Sequence, residues 1–99
     1  MWILRASQAD SDTPTFRLRP GAIKTVGRAP RADFILDAAL VSRLHCRLTA
    51  TDDAVEVVDL TSTNGVFVND KRVKKANLAA GDRLRIGRVE LKVERASSS

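Results

Sequence analysis

The sequence predicts one all-β domain, a β-sandwich built from two antiparallel sheets. Three observations carry that expectation. Hydrophobicity alternates with period two in almost every patterned stretch, turn-forming pairs recur between those stretches, and no segment sustains a helical period. A chain of 99 residues, 43% of them hydrophobic, has the size and composition of one small domain with one core.

The strands follow in order. "TFRL" (15–18) is short and ends at the Pro20-Gly21 turn, after which "IKTV" (23–26) resumes the alternation and runs into Gly27-Arg28. Residues 29–43 hold less pattern. A short strand is expected near Phe34 to Leu36, and "DAAL" (37–40) has the composition of a helical turn. "LHCRLT" (44–49) alternates again, which places Leu44, Cys46 and Leu48 inward and His45 on the opposite face. "AVEVV" (54–58) follows the Thr51-Asp52-Asp53 turn, and "VFV" (66–68) follows Asn64-Gly65. "VNDKRV" (68–73) has hairpin grammar and reads as a turn only, while "KKANLAAGD" (74–82) reads as an irregular connection. "RLRI" (83–86) and the strictly alternating "VELKVER" (89–95) close the domain. Its boundary is expected near Arg95, with residues 96–99, "ASSS", as the start of a flexible linker.

Composition narrows the function classes. One cysteine excludes an internal disulfide, and one cysteine with one histidine makes a metal site improbable. No apolar run approaches the roughly 20 residues of a membrane-spanning helix, and "MWILRASQAD" lacks the pattern of a secretory signal. A reducing intracellular compartment, nucleus or cytoplasm, is the expected setting. The net charge of +5 directs attention to anionic partners.

Three loops carry candidate residues. Gly27-Arg28 leaves a strand, and the glycine allows a backbone approach that a Cβ would block. Ser42-Arg43 offers a hydroxyl, backbone N–H groups and a guanidinium fork, the donors a phosphate dianion needs; the same serine also suits a local turn bond. His45 suits either a solvated strand position or a brace for the loop that carries Ser42. "TSTNG" (61–65) is a strong hairpin signal, yet Asn64 also has the donor and acceptor that clamp an extended peptide. No second histidine or acid partner completes a nucleophilic site around Ser42 and His45, so no enzyme is expected. A basic nucleic-acid-binding β domain is the rival from another class, with Lys71, Arg72, Lys74 and Lys75 crowding one hairpin. The aromatic residues, Trp2, Phe16, Phe34 and Phe67, supply no evident stacking platform for it, so direct nucleic-acid binding is not expected.

Taken in order, "GR" (27–28), "SRLH" (42–45), "STNGVFVN" (62–69) and the "GDRLRIG" stretch (81–87) resemble the forkhead-associated (FHA) domain over about residues 2–95. The resemblance implies an eleven-stranded β-sandwich that binds phosphothreonine peptides through loops at one end. It implies phosphate contacts from Arg28 and Ser42, with Arg43 and Thr63 flanking, and a hold on the peptide backbone from Asn64. Gly27, His45 and Gly65 would be architectural, with His45 bracing the loops. No catalytic role, cofactor or metal is implied, the partner is a phosphothreonine-containing protein segment, and the isolated domain is expected to be monomeric. A phospho-independent FHA scaffold or dimerisation module is the alternative within the fold. The basic hairpin is expected to favour acidic residues beside the phosphothreonine. The "MW" opening further resembles the nibrin family of DNA-damage proteins, which implies a nuclear role in the DNA-damage response.

Overall fold

The computed structural model describes residues 1–6 and 15–96. The expected linker therefore lies outside the described residues from 97 onward. Eleven strands are present among the described residues. One sheet has six: β1 (Trp2–Ala6), β2 (Phe16–Leu18), β7 (Val66–Val68), β8 (Lys71–Val73), β10 (Arg83–Ile86) and β11 (Val89–Arg95), in the order β2-β1-β11-β10-β7-β8. The other has five: β3 (Ile23–Gly27), β4 (Phe34–Ile35), β5 (Cys46–Ala50), β6 (Val55–Asp59) and β9 (Lys75–Leu78), in the order β4-β3-β5-β6-β9. All pairings are antiparallel except β3 with β4.

The period-two pattern becomes the core directly. Leu4, Leu18, Leu48, Val57, Leu84 and Leu91 are fully buried between the sheets, while Arg5, Arg17, Arg47, Arg83 and Lys92 face out from the same strands. Trp2 adds a polar tie between the layers. Its ring is buried, and its indole N–H donates to the Thr51 carbonyl at 2.8 Å, in the turn between β5 and β6. Phe16 and Phe34 stack at 4.5 Å between ring centroids and close one edge of the sandwich.

Three local expectations are corrected. Residues 37–40 form no helical turn; Leu40 is instead a left-handed residue with φ 69°. The "irregular" stretch 74–82 contains β9, because Ala76 and Leu78 pack inward when that segment pairs with β6. Leu44 is 40% exposed and precedes β5, whereas His45, expected on the outer face, is fully buried. The strand starts at Cys46, so the alternation that holds for Cys46 to Ala50 does not extend back through a loop. The 68–73 segment is a hairpin as its grammar implies. Asn69 and Asp70 take φ 50° and 70°, the paired left-handed conformation that matches strand twist.

Cys46 sits at 0% exposure among the core side chains. Burial, reinforced by the Asp59 carboxylate, pushes its thiol up to about 12 from the ordinary 9.0. The thiolate is the reactive form, so the folded protein should resist a thiol-labelling reagent at pH 8 and react promptly in denaturant. Equal labelling rates in the two conditions would contradict this burial.

Candidate functional site

Strand register brings the three loops to one end of the sandwich. Val26 pairs with Cys46, and Cys46 pairs with Asp59, so the end of β3, the start of β5 and the end of β6 share one pole. Residues 28–33, 39–45 and 60–65 leave or enter the sheet there.

The first two loops continue as a ladder beyond the strands. Arg28 N–H donates to the Ser42 carbonyl at 3.0 Å, and Ala29 N–H donates to the Arg43 carbonyl at 3.0 Å. Gly27 makes this approach possible: a Cβ there would lie 2.1 Å from the Arg43 carbonyl oxygen. At the far end of the 28–33 loop, the Thr25 backbone N–H donates to Asp33 Oδ2 at 2.9 Å, with the Thr25 hydroxyl at 3.1 Å. Those bonds, the backbone one first, hold the Asp33 carboxyl below its usual range. The anchor is therefore in place above the ordinary carboxylate pKa and is lost only as pH falls below it.

His45 joins the second loop to the third. Its Nδ1 accepts from the Ser42 N–H at 3.0 Å, and its Nε2 meets the Gly65 carbonyl at 2.8 Å. Those partners assign the neutral tautomer with the proton on Nε2, since a backbone N–H needs an acceptor and a carbonyl needs a donor. Thr63 N–H donates to Ser42 Oγ at 3.1 Å, and the Asn64 side-chain amide donates to the Leu40 carbonyl at 3.0 Å. Within the third loop, Gly65 N–H donates to Ser62 Oγ at 3.0 Å, and Ser62 N–H to Asp59 Oδ1 at 2.9 Å. The Asn64-Gly65 pair is thus not the tip of a hairpin. It lies in the connection that carries the chain from β6 in one sheet to β7 in the other.

A shallow depression of about 230 Å³ opens between these loops, lined by Arg28, Leu40, Val41, Ser42, Thr63 and Asn64. Among the described residues no carboxylate lines it, and Arg28 is the one cation that does. The Arg28 side chain is exposed, and among the described residues nothing engages its guanidinium. Ser42 Oγ is already an acceptor for Thr63 N–H, which leaves its own hydrogen to donate toward the depression. Asn64 keeps its carbonyl oxygen and a second amide hydrogen, since the Leu40 bond uses one.

The residues singled out by sequence separate into groups. Arg28, Ser42, Thr63 and Asn64 line the depression; Gly27, His45 and Gly65 lie behind it in the framework just described. Arg43 is exposed but is not a lining residue, and its carbonyl serves the loop ladder. The basic cluster does not stay together. Lys71 and Arg72 belong to β8 of the six-stranded sheet, while Lys75 lies in β9 of the other and pairs with Glu56 at 3.5 Å. Sequence reasoning missed Leu40 and Val41, because a left-handed leucine has no signature in a pattern that reads as helical.

Comparisons with known proteins agree with this fold. A family model described as the FHA domain matches residues 24–87. A solved structure described in terms of phosphothreonine-dependent FHA domain interactions superposes with a TM-score of 0.85 at 33% identity, covering 98% of each chain. The glycogen accumulation regulator GarA of Mycobacterium tuberculosis is 41% identical over 70 residues, 71% of this chain and 43% of its own. An ABC transporter ATP-binding/permease protein of the same organism is 38% identical over 91 residues, 92% of this chain and 10% of its own. The chain thus spans less than half the length of either relative.

Replacing His45 with alanine removes the partners of two loop groups at once, the Ser42 N–H and the Gly65 carbonyl. Each buried group left unpaired costs about 1–3 kcal/mol. Urea unfolding of His45→Ala should show a loss of about 2–4 kcal/mol. A loss under about 0.5 kcal/mol, the size of an ordinary surface change, would contradict the bracing role.

Proposed function

The chain belongs to the FHA-domain family, and we propose that it acts as a phosphothreonine reader that assembles signalling complexes through the depression at its loop pole. The observation that supports this best is that Arg28 and Ser42 line one depression, with no carboxylate in the lining and no partner on the Arg28 guanidinium among the described residues. A phosphothreonine brings about −1.5 to −2 charge and three acceptor oxygens. Arg28 meets it with a planar fork and Ser42 with its free hydrogen, Thr63 flanks, and Arg43 contributes positive charge from outside the lining. Asn64, fixed by the Leu40 carbonyl, presents its remaining amide groups to the peptide main chain. No step of this scheme breaks a covalent bond, and the chain's FHA relative GarA is itself named as a regulator. Acidic residues beside the phosphothreonine suit the +5 charge of the domain.

Both named relatives are mycobacterial and one is named as a regulator, a context that lends no support to a nuclear DNA-damage role. Among the described residues no helix is long and apolar enough to cross a membrane. A phospho-independent scaffold would use the fold without Arg28, Ser42 and Asn64 facing one depression, so the phosphate reader is the better account of them. A stacking mode for nucleic acid is disfavoured in the same way, because Arg85 already covers the Phe67 ring at 4.3 Å from its centroid.

Arg28→Ala should reduce phosphothreonine-peptide affinity at least about a hundredfold, the scale of losing two charge-assisted hydrogen bonds. Because Arg28 is exposed, its thermal unfolding should be unchanged. Fluorescence polarisation with a phosphothreonine peptide library checks this, and wild-type-like binding by the variant would refute the assignment. The apolar lining of Leu40 and Val41 gives the threonine methyl a place to sit. Phosphoserine peptides should therefore bind about tenfold or more weakly, the scale of one methyl in an apolar pocket. Equal titrations for the two phosphoamino acids would remove that contact.

A further inference from the structure

Gly65 has a second neighbour besides His45. A Cβ built on it would lie 2.5 Å from Arg72 Nε and 2.9 Å from Arg72 Cζ, so the guanidinium occupies the space a side chain would take. Register explains how it gets there. Arg72 faces Phe67 across the β7–β8 pair, and Phe67 faces Arg85 across the β7–β10 pair. On one face of a sheet, a long side chain reaches diagonally to the position two residues from its direct partner. Here that position is Gly65. Arg85 covers the Phe67 ring, and Arg72 turns the other way, onto the loop.

The result is a guanidinium packed against Gly65, the residue that follows Asn64 of the depression lining. Its charge is uncommitted. Arg72 is exposed, and among the described residues no carboxylate pairs with it, whereas Lys75 is held by Glu56 at 3.5 Å and Arg83 by Asp70 at 3.3 Å. We propose that Arg72, seated on Gly65, reads an acidic side chain of the bound segment beside the phosphothreonine. The assignment rests on the phosphothreonine reading above and gives the acidic preference a single residue. A guanidinium already positioned against the loop loses less freedom on pairing than a free lysine does, and its fork matches a carboxylate. Lys71, one residue earlier on β8, projects to the opposite face by strand alternation and takes no part.

The test is a set of fluorescence-polarisation titrations on wild type, Arg72→Gln and Lys71→Gln. The probes are a phosphothreonine peptide with alanine flanks and its variants with aspartate at one flanking position at a time. Wild type should prefer aspartate at one or two positions by about three- to fivefold, the scale of an exposed charge pair. Arg72→Gln should lose that preference and keep its affinity for the alanine-flanked peptide within about twofold, while Lys71→Gln keeps both. That alanine-flanked titration also reports an intact pocket in each variant. A preference that survives Arg72→Gln, or that disappears equally in Lys71→Gln, overturns the assignment. So does a flat wild-type profile among peptides that do bind, and in that case the phosphothreonine reading stands. Failure of wild type to bind any phosphopeptide would overturn both.

Discussion

The buried imidazole of His45 is the contact on which the loop pole depends. Its two nitrogens are spent on main-chain groups of different loops, the Ser42 N–H at 3.0 Å and the Gly65 carbonyl at 2.8 Å. A neutral imidazole is a donor and an acceptor at fixed separation on a rigid ring. Both loops are therefore set relative to each other by one side chain. The lining of the depression hangs on that spacing. Ser42 Oγ reaches Thr63 N–H, Asn64 reaches the Leu40 carbonyl, and Arg28, bonded through its N–H to the Ser42 carbonyl, lines the same depression.

The second constraint is steric, and it also concerns main chain. Gly27 lets the Arg43 carbonyl come where a Cβ would sit, and Gly65 leaves room for the Arg72 guanidinium. Gly65 in addition has φ 85°, a backbone conformation that L side chains rarely adopt. Thus exposed polar residues line the depression, while two glycines and a histidine behind them decide where those residues stand. Substitutions at the first group should alter binding with little effect on folding, whereas substitutions at the second should lower stability and disturb the depression together.

Most of the fold was legible because the strands obey a two-residue period and the turns obey residue chemistry. "VELKVER" and "RLRI" became β11 and β10 without adjustment, and Asn69-Asp70 supplied the paired left-handed residues of its hairpin. The failures share a cause. Leu44 and His45 fit the period of the strand that follows them, but the strand begins at Cys46, two residues later than the pattern implies, and loop side chains answer to local contacts instead. β9 was missed because Lys75 and Asn77 face out and only Ala76 and Leu78 face in, too short and weakly apolar a signal to separate from a loop. The site was legible as an ordered set of motifs, and the registry Val26–Cys46–Asp59 explains their convergence, which no spacing along the chain encodes.

The Trp2 indole bond to the Thr51 carbonyl fixes more than the packing of one ring. Thr51 follows the end of β5 that points away from Cys46, so β1 begins at the pole opposite the depression. Trp2 pairs with Arg95, and Ala96 N–H donates to the Met1 carbonyl at 2.8 Å, which brings both ends of the described domain to that same pole. Any polypeptide joined at either end leaves from the back of the module. A tether there would attach at the end of the domain away from the depression. The geometry is that of a cartridge, able to sit inside a longer chain at the cost of one short gap between adjacent strand ends.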